Sequence, residues 1–300
     1  MTDEQPIRAA DLDWAFVVPS APPDAQSEPT SATPAPSAWA TPRRIVALVA
    51  VAAITTSAAT AVVTRALQAR AARLSAVNEL TRGPVVGGTG TSYAFTWVNS
   101  DGSPVRWNPC EPIRWVSSSA GAPAGALSDF RDAVAHVTAL TGLRFEYVGE
   151  VEERPVVNRP SASARGGAEW APVLVAWVPL AGTPLGQGLG TGPDTVGVAT
   201  PVAISRPNSP GVIVSGQIVF ETGRVLSSGF ATSAARGSVM LHELAHAVGL
   251  AHVTDPTQLM YSGDHAGVTV GDFGGGDRLG LEGLGATGGC VDTPSPDEVD

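Results

Sequence analysis

The tightest constraint on this chain is the stretch His242-Glu243-Leu244-Ala245-His246-Ala247-Val248-Gly249-Leu250-Ala251-His252, which reads H-E-x-x-H-x-x-G-x-x-H. Residues four apart on an α-helix share a face, so His242 and His246 can present both imidazoles to one point. Gly249 can take a positive φ, which ends the helix and turns the chain back. That turn lets His252 bring a third nitrogen from outside the helix. Three neutral imidazoles fill three positions of a tetrahedral zinc ion and leave the fourth open, the arrangement of a catalytic site rather than a closed structural one. Glu243 flanks such an ion without having to bind it. Val239, Met240, Leu244 and Val248 give the helix an apolar side to bury beneath a sheet.

Downstream, Gln258-Leu259-Met260-Tyr261 follows His252. Together the two stretches resemble the zinc signature and Met-turn of the metzincin metallopeptidases, and the L-M-Y wording is similar to the matrixin branch. The resemblance runs from about Asn108 to Gly289 and is specific at these two motifs. It implies an α+β catalytic domain. Its sheet should be twisted and mostly parallel, of about five strands with an antiparallel edge strand, packed on an active-site helix and two further helices. It also implies a zinc-dependent endopeptidase acting on protein or peptide substrates, with Zn2+ on His242, His246 and His252. Glu243 would be the general base, Gly249 the turn and Met260 the hydrophobic floor under the metal. In the family, a strand just before the zinc helix binds the substrate main chain, and Gly216–Phe220 stands at that place. Two other readings compete: a peptide-binding pseudoprotease, and a cell-envelope hydrolase acting on a non-protein bond.

The chain departs from the matrixin pattern in several places. Ser262 stands where matrixins usually have Pro, so side-chain preference does not transfer. The matrixin cysteine-switch motif is missing. No His lies between His136 and His242, so a structural zinc is not expected. Asp194, in a Gly-rich loop with backbone carbonyls, is the candidate for Ca2+. Cys110 and Cys290 bracket the domain. They could form a disulfide, remain free thiols, or let Cys110 cap the metal.

The net charge of −10, with 18 basic residues that are all Arg in no cluster, argues against a nucleic-acid partner. Residues 1–42 are rich in Pro, Ala, Ser and acidic side chains and read as a disordered tail. Ile45 to Val63 is 19 residues without a charge. As a helix it would span roughly 28 Å, close to a bilayer's hydrocarbon core of about 30 Å. Residues 43–64 are therefore read as an uncleaved signal-anchor. This makes the chain a single-pass membrane protein with its catalytic domain outside the cell. Residues 65–91 read as a stalk and flexible linker, and 92–300 as the folded domain.

Within that domain, Ala94 to Val98, Val105 to Trp107, Ile113 to Val116, Leu143 to Val148 and Val173 to Val178 read as strands. So do Val196 to Ala203 and Gly211 to Phe220. Leu127, Phe130, Val134, Val137 and Leu140 form a helical stripe closed by Gly142. Residues 149–172 read as an exposed loop. Thr232 or Ser233 is the expected cap of the zinc helix. Asp277 to Leu284 reads as a last helix. His136 and His265 are read as surface residues.

Overall fold

The computed structural model describes residues 80–162, 169–206, 209–263 and 270–299. The predicted tail and anchor lie outside these residues, as does most of the predicted stalk, and so do Asp264 and His265. Among the described residues no helix is long and apolar enough to cross a membrane.

The centre of the domain is a five-stranded sheet. In chain order its strands are β2 (Ile113–Ser118), β3 (Phe145–Glu150), β4 (Val173–Val178), β5 (Gly197–Arg206) and β6 (Ser209–Glu221), following a short β1 (Ala94–Phe95). The spatial order is β3-β2-β4-β6-β5. The first four are mutually parallel and β5 is antiparallel to β6. The fold is therefore α+β with a mostly parallel sheet and an antiparallel edge, as expected. One expectation needs correcting. Gly216–Phe220 lies in β6, which is paired on both sides, so it cannot accept an added strand. The edge is β5.

Among the described residues there are five α-helices: α1 (Ala126–Thr141), α2 (Pro184–Gly188), α3 (Arg236–Val248), α4 (Gly275–Leu284) and α5 (Pro296–Val299). That is two more than expected, and the two extra ones, α2 and α5, are single turns. Helix α1 crosses between the parallel strands β2 and β3, a link that strands running the same way require. It buries Ala126, Phe130, Ala133 and Val137, and ends at Gly142, whose φ is 68°. The Gly142 N–H returns to the Thr138 carbonyl at 2.8 Å. Helices α1, α3 and α4 pack on one face of the sheet. Trp115, Phe130, Val175, Ile218, Met240, Leu244 and Leu281 form one continuous core there. At about 1.5–3 kcal/mol for each fully buried large apolar side chain, this face supplies most of the driving force for folding.

The other face is covered by loop. Arg159, expected on an exposed loop, has a side chain only 6 % exposed. It binds both carboxylate oxygens of Glu153 at 2.7 and 3.1 Å, and the Gly216 carbonyl of β6 at 2.9 Å. Residues 105–107 do not form the expected strand; Arg106 makes a single bridge to Val212. Pairing begins upstream of Tyr93, because Thr81 bridges Val98 and Val86 bridges Tyr93. Residues 80–91, read as linker, are thus bonded to the domain.

Cys110 and Cys290 form a disulfide with a sequence separation of 180 residues. Cys110 is therefore not the cap of a metal. Nearby, Arg106 donates to the Gly288 and Gly289 carbonyls at 2.7 and 2.8 Å, and fastens the same junction without covalent help. The unreduced, unfolded protein should titrate no thiol, and two after reduction. The double variant Cys110→Ser/Cys290→Ser should lose up to about 5 kcal/mol of stability in urea denaturation, the chain-entropy ceiling for so long a loop.

Candidate metal centre

The zinc-helix candidate is α3. It starts at Arg236 with Ala235 as N-cap and no side-chain cap bond. Thr232 and Ser233 do not cap it. Carbonyls of the preceding loop take that role: Ser227 accepts the Arg236 N–H at 2.7 Å and Gly229 accepts the Gly237 N–H at 2.8 Å. At the other end Gly249, with φ 122°, breaks the helix as expected. Trp107 Nε1 donates to the Ala247 carbonyl at 2.9 Å and satisfies one of the last carbonyls. The reversed chain forms β7 (Leu250–Ala251), which pairs with β1 and delivers His252.

The three imidazoles meet. His242, His246 and His252 bring their Nε2 atoms to 3.1 Å from one another in every pairing. Ligands of a tetrahedral ion at about 2.0–2.1 Å would be roughly 3.3–3.4 Å apart, so the spacing fits one ion. The tautomers fit too. His242 Nδ1 lies 2.8 Å from the Leu259 carbonyl and His246 Nδ1 lies 2.8 Å from the Leu250 carbonyl. A carbonyl can only accept, so each Nδ1 carries the proton and each Nε2 is left with its lone pair. Burial lowers the His246 pKa well below its usual value, aided by His252, His242 and Arg82. Burial, then Arg82, brings His252 down to about 4. Neutral imidazoles are the metal-binding form. Among the described residues no other group of His, Cys, Asp or Glu converges in this way.

Glu243 is 6 % exposed and is not among the converging ligands. Burial pushes its pKa up to about 8, opposed by a hydrogen bond from the Ala199 N–H of β5. Gly197 explains how the carboxylate fits. A Cβ there would sit 2.7 Å from Glu243 Cγ and 2.9 Å from Oε1. The edge strand thus lies directly on the Glu243 side chain. Because the Ala199 N–H faces Glu243, the alternate residues Gly197, Ala199 and Pro201 turn their backbone groups away from β6. Pro201 therefore costs the ladder no hydrogen bond. These residues, the three His and Glu243 line a cleft of about 580 Å³, continued by Leu226, Val239, Leu259, Tyr261 and Ser262.

Met260 is 1 % exposed in the main core. What holds its turn was not foreseen. The buried Asp277 carboxylate accepts from Leu259 N–H at 2.6 Å and Gly274 N–H at 3.0 Å. Burial raises its pKa to about 6 against these bonds and one from Met260 N–H. Gln258 Oε1 accepts from the Gly276 and Asp277 N–H groups at 2.8 and 3.0 Å, capping α4. Asp255 ties the same turn to the N-terminal segment, accepting from Gly90 N–H at 2.5 Å and from Ser92 Oγ at 3.3 Å. Burial alone would push the Asp255 carboxyl up. Bonds from Thr257, Gly90 and Gln258 outweigh it and bring the pKa down to about 2.

The calcium candidate and His136 can also be placed. Asp194, the calcium candidate, is ion-paired with Arg224, which also donates to the Pro193 carbonyl at 3.0 Å. A guanidinium supplies the positive charge there, so calcium is not supported at Asp194. His136 stacks on Phe230 with ring centroids 5.0 Å apart, away from the three ligands.

A scan against models of known protein families finds no match, and a search of curated proteins finds none either.

Leu259 links two of these bonds, with its N–H on Asp277 and its carbonyl on His242. Asp277→Ala should therefore cost about 2–4 kcal/mol in urea denaturation, through the backbone donors of Leu259, Met260 and Gly274 left unpaired. It should also weaken metal affinity about tenfold or more by titration against a competing chelator. Asp277→Asn keeps an acceptor oxygen and should lose much less of both.

Proposed function

We propose that this protein is a metal-dependent endopeptidase of the metzincin, matrixin-like kind. The observation that carries the reading is the meeting of three imidazole Nε2 atoms at 3.1 Å beside a buried carboxylate, under the free edge of β5. His242, His246 and His252 would hold the ion, and their donor set suits zinc. When bound, such an ion supplies Lewis acidity: it acidifies a water towards a pKa of about 7 and polarises a carbonyl.

The protein's own groups supply the rest. The outward N–H and C=O groups of Gly197 and the outward C=O of Ala199, whose N–H is held by Glu243, can pair with an extended peptide by strand addition, and this holds a peptide bond across the cleft. Glu243 lies beside that path. It takes a proton from the attacking water and returns one to the departing amine, which then leaves as a neutral group. A positive ion next to Glu243 favours its ionised form, the one a base requires. The intact Glu243 favours hydrolysis over mere peptide binding.

The same proposal puts the domain outside the membrane, held by the helix read at residues 43–64. The Cys110–Cys290 disulfide supports this, because such bonds persist in oxidising compartments.

The test is a casein and quenched-peptide assay on the full-length protein, with metal analysis. Wild type should contain about one metal ion per chain and lose activity to chelator. Glu243→Ala should keep the metal and lose about 10²–10⁴-fold in rate, the usual contribution of a general base. Full activity in that variant would remove Glu243 from the mechanism, and a metal-loaded wild type that cuts no peptide would sink the peptidase reading. A second, independent variant is Gly197→Ala. Its new methyl must displace Glu243, so hydrolysis should fall about tenfold or more while metal content stays unchanged.

A further inference from the structure

Two arginines bear on the reading of the cleft, Arg224 in its lining and Arg82 on a neighbouring segment, and among the described residues only Arg224 is paired with a carboxylate. At the end where β5 begins, Arg224 is bound to Asp194. Arg82 lies on the segment bonded to residues 95–98, which brings Thr96 into the cleft. It is exposed, and among the described residues no carboxylate lies within ion-pair distance of it.

Its backbone position is well defined. Thr81 bridges Val98, and the Gly83 N–H donates to the Phe95 carbonyl at 3.1 Å. Residues 81–83 therefore run antiparallel to 95–98. Between those two contacts lies Thr96, which lines the cleft. Thr96 donates its N–H to Gly249 at 2.7 Å and its hydroxyl to Leu250 at 3.0 Å, on the turn that carries His252.

The segment also has a place along the edge strand. A Cβ on Gly211 would lie 2.8 Å from Leu80 Cδ2, and the next residue, Val212, is paired with Ile204 of β5. Residues 80–83 thus adjoin the C-terminal half of β5, whereas Glu243 lies at its beginning.

We propose that Arg82 is a specificity-determining residue that selects an acidic side chain in the substrate, on the N-terminal side of the cleaved bond. This rests on the peptidase reading above. A peptide added antiparallel to β5, as β6 already is, has its N-terminal residues passing the C-terminal half of the strand. Those residues meet a guanidinium with no carboxylate partner among the described residues, and a guanidinium binds a carboxylate in two-pronged fashion. The opposite end of the cleft offers no such charge, because Asp194 cancels Arg224.

The test uses the full-length protein and a peptide library whose cleavage sites are read by mass spectrometry. Wild type should show Asp and Glu enriched roughly two- to fivefold before the cleaved bond, the size of an exposed ion pair. Arg82→Gln should abolish the enrichment, and Arg82→Glu should replace it with Lys and Arg. Enrichment that survives Arg82→Gln, or that lies only after the cleaved bond, overturns the proposal. A binding arm separates its failure from that of the peptidase reading. Fluorescence anisotropy of an Asp-bearing and a Lys-bearing peptide is measured on Glu243→Gln, with and without Arg82→Glu. If wild type cuts nothing but the peptide preference reverses with the charge of residue 82, hydrolysis falls and the role of Arg82 stands. Equal binding of both peptides to both chains overturns Arg82 itself.

Discussion

Three imidazole nitrogens face one another at 3.1 Å, at least two of them with lone pairs turned inward, and lone pairs that close repel unless something positive lies between them. Much of the surrounding structure serves to hold that unfavourable arrangement in place. Helix α3 supplies two of the nitrogens at its natural spacing, and Gly249 reverses the chain so that the third can arrive. The Leu250 and Leu259 carbonyls keep the Nδ1 protons turned away from the centre. Burial then disfavours protonation, which would be the other way to relieve the repulsion. An affinity for a cation is thus built into the fold before any ion arrives.

The supports beyond the ligands are backbone groups used at both ends. Leu259 gives its carbonyl to His242 and its N–H to Asp277. Leu250 gives its carbonyl to both His246 and Thr96. Asp255 draws the N-terminal segment onto the loop between His252 and Met260. Rigidity at the three imidazoles therefore depends on parts of the chain that lie far apart in sequence: residues 90–96, 250–260 and 274–277.

Local features were legible in the sequence; distant pairings were not. The periodicity of Phe130, Val134 and Val137 reported α1, and the spacing of the histidines reported both a helix and its reversal. The apolar runs of β4 and β6 read as strands, but nothing in Gly216–Phe220 reveals that both its edges are paired, because that depends on where β4 and β5 come to lie. Gly197 and Ala199 looked like ordinary strand residues; their place against Glu243 is a tertiary fact. Asp277 carried a faint signal, as the only carboxylate in the first turn of a glycine-weakened helix, but its partner at Leu259 is 18 residues away. Thr232 and Ser233 had the right chemistry for a cap and lost to loop carbonyls, which a sequence does not display. Residues 83–91 looked like linker from their glycines, yet Gly87 and Gly90, with φ of 86° and 82°, form the turns that bring Val86 back onto Tyr93 and Gly90 onto Asp255.

The Cys110–Cys290 bond makes the domain a covalent ring. Every strand of the main sheet, the helix with two of the ligands, the third ligand and the Met-turn lie on that ring. One break in the backbone anywhere between the two cysteines opens the ring without releasing a fragment. With the peptidase activity proposed above, the protein would be exposed to its own cutting at loops such as the one over the far face of the sheet. Under oxidising conditions a single nick there would leave one molecule of nearly unchanged mass, held together by its sulfurs while the core stays packed. Two cuts, or reduction, would be needed before any part could leave.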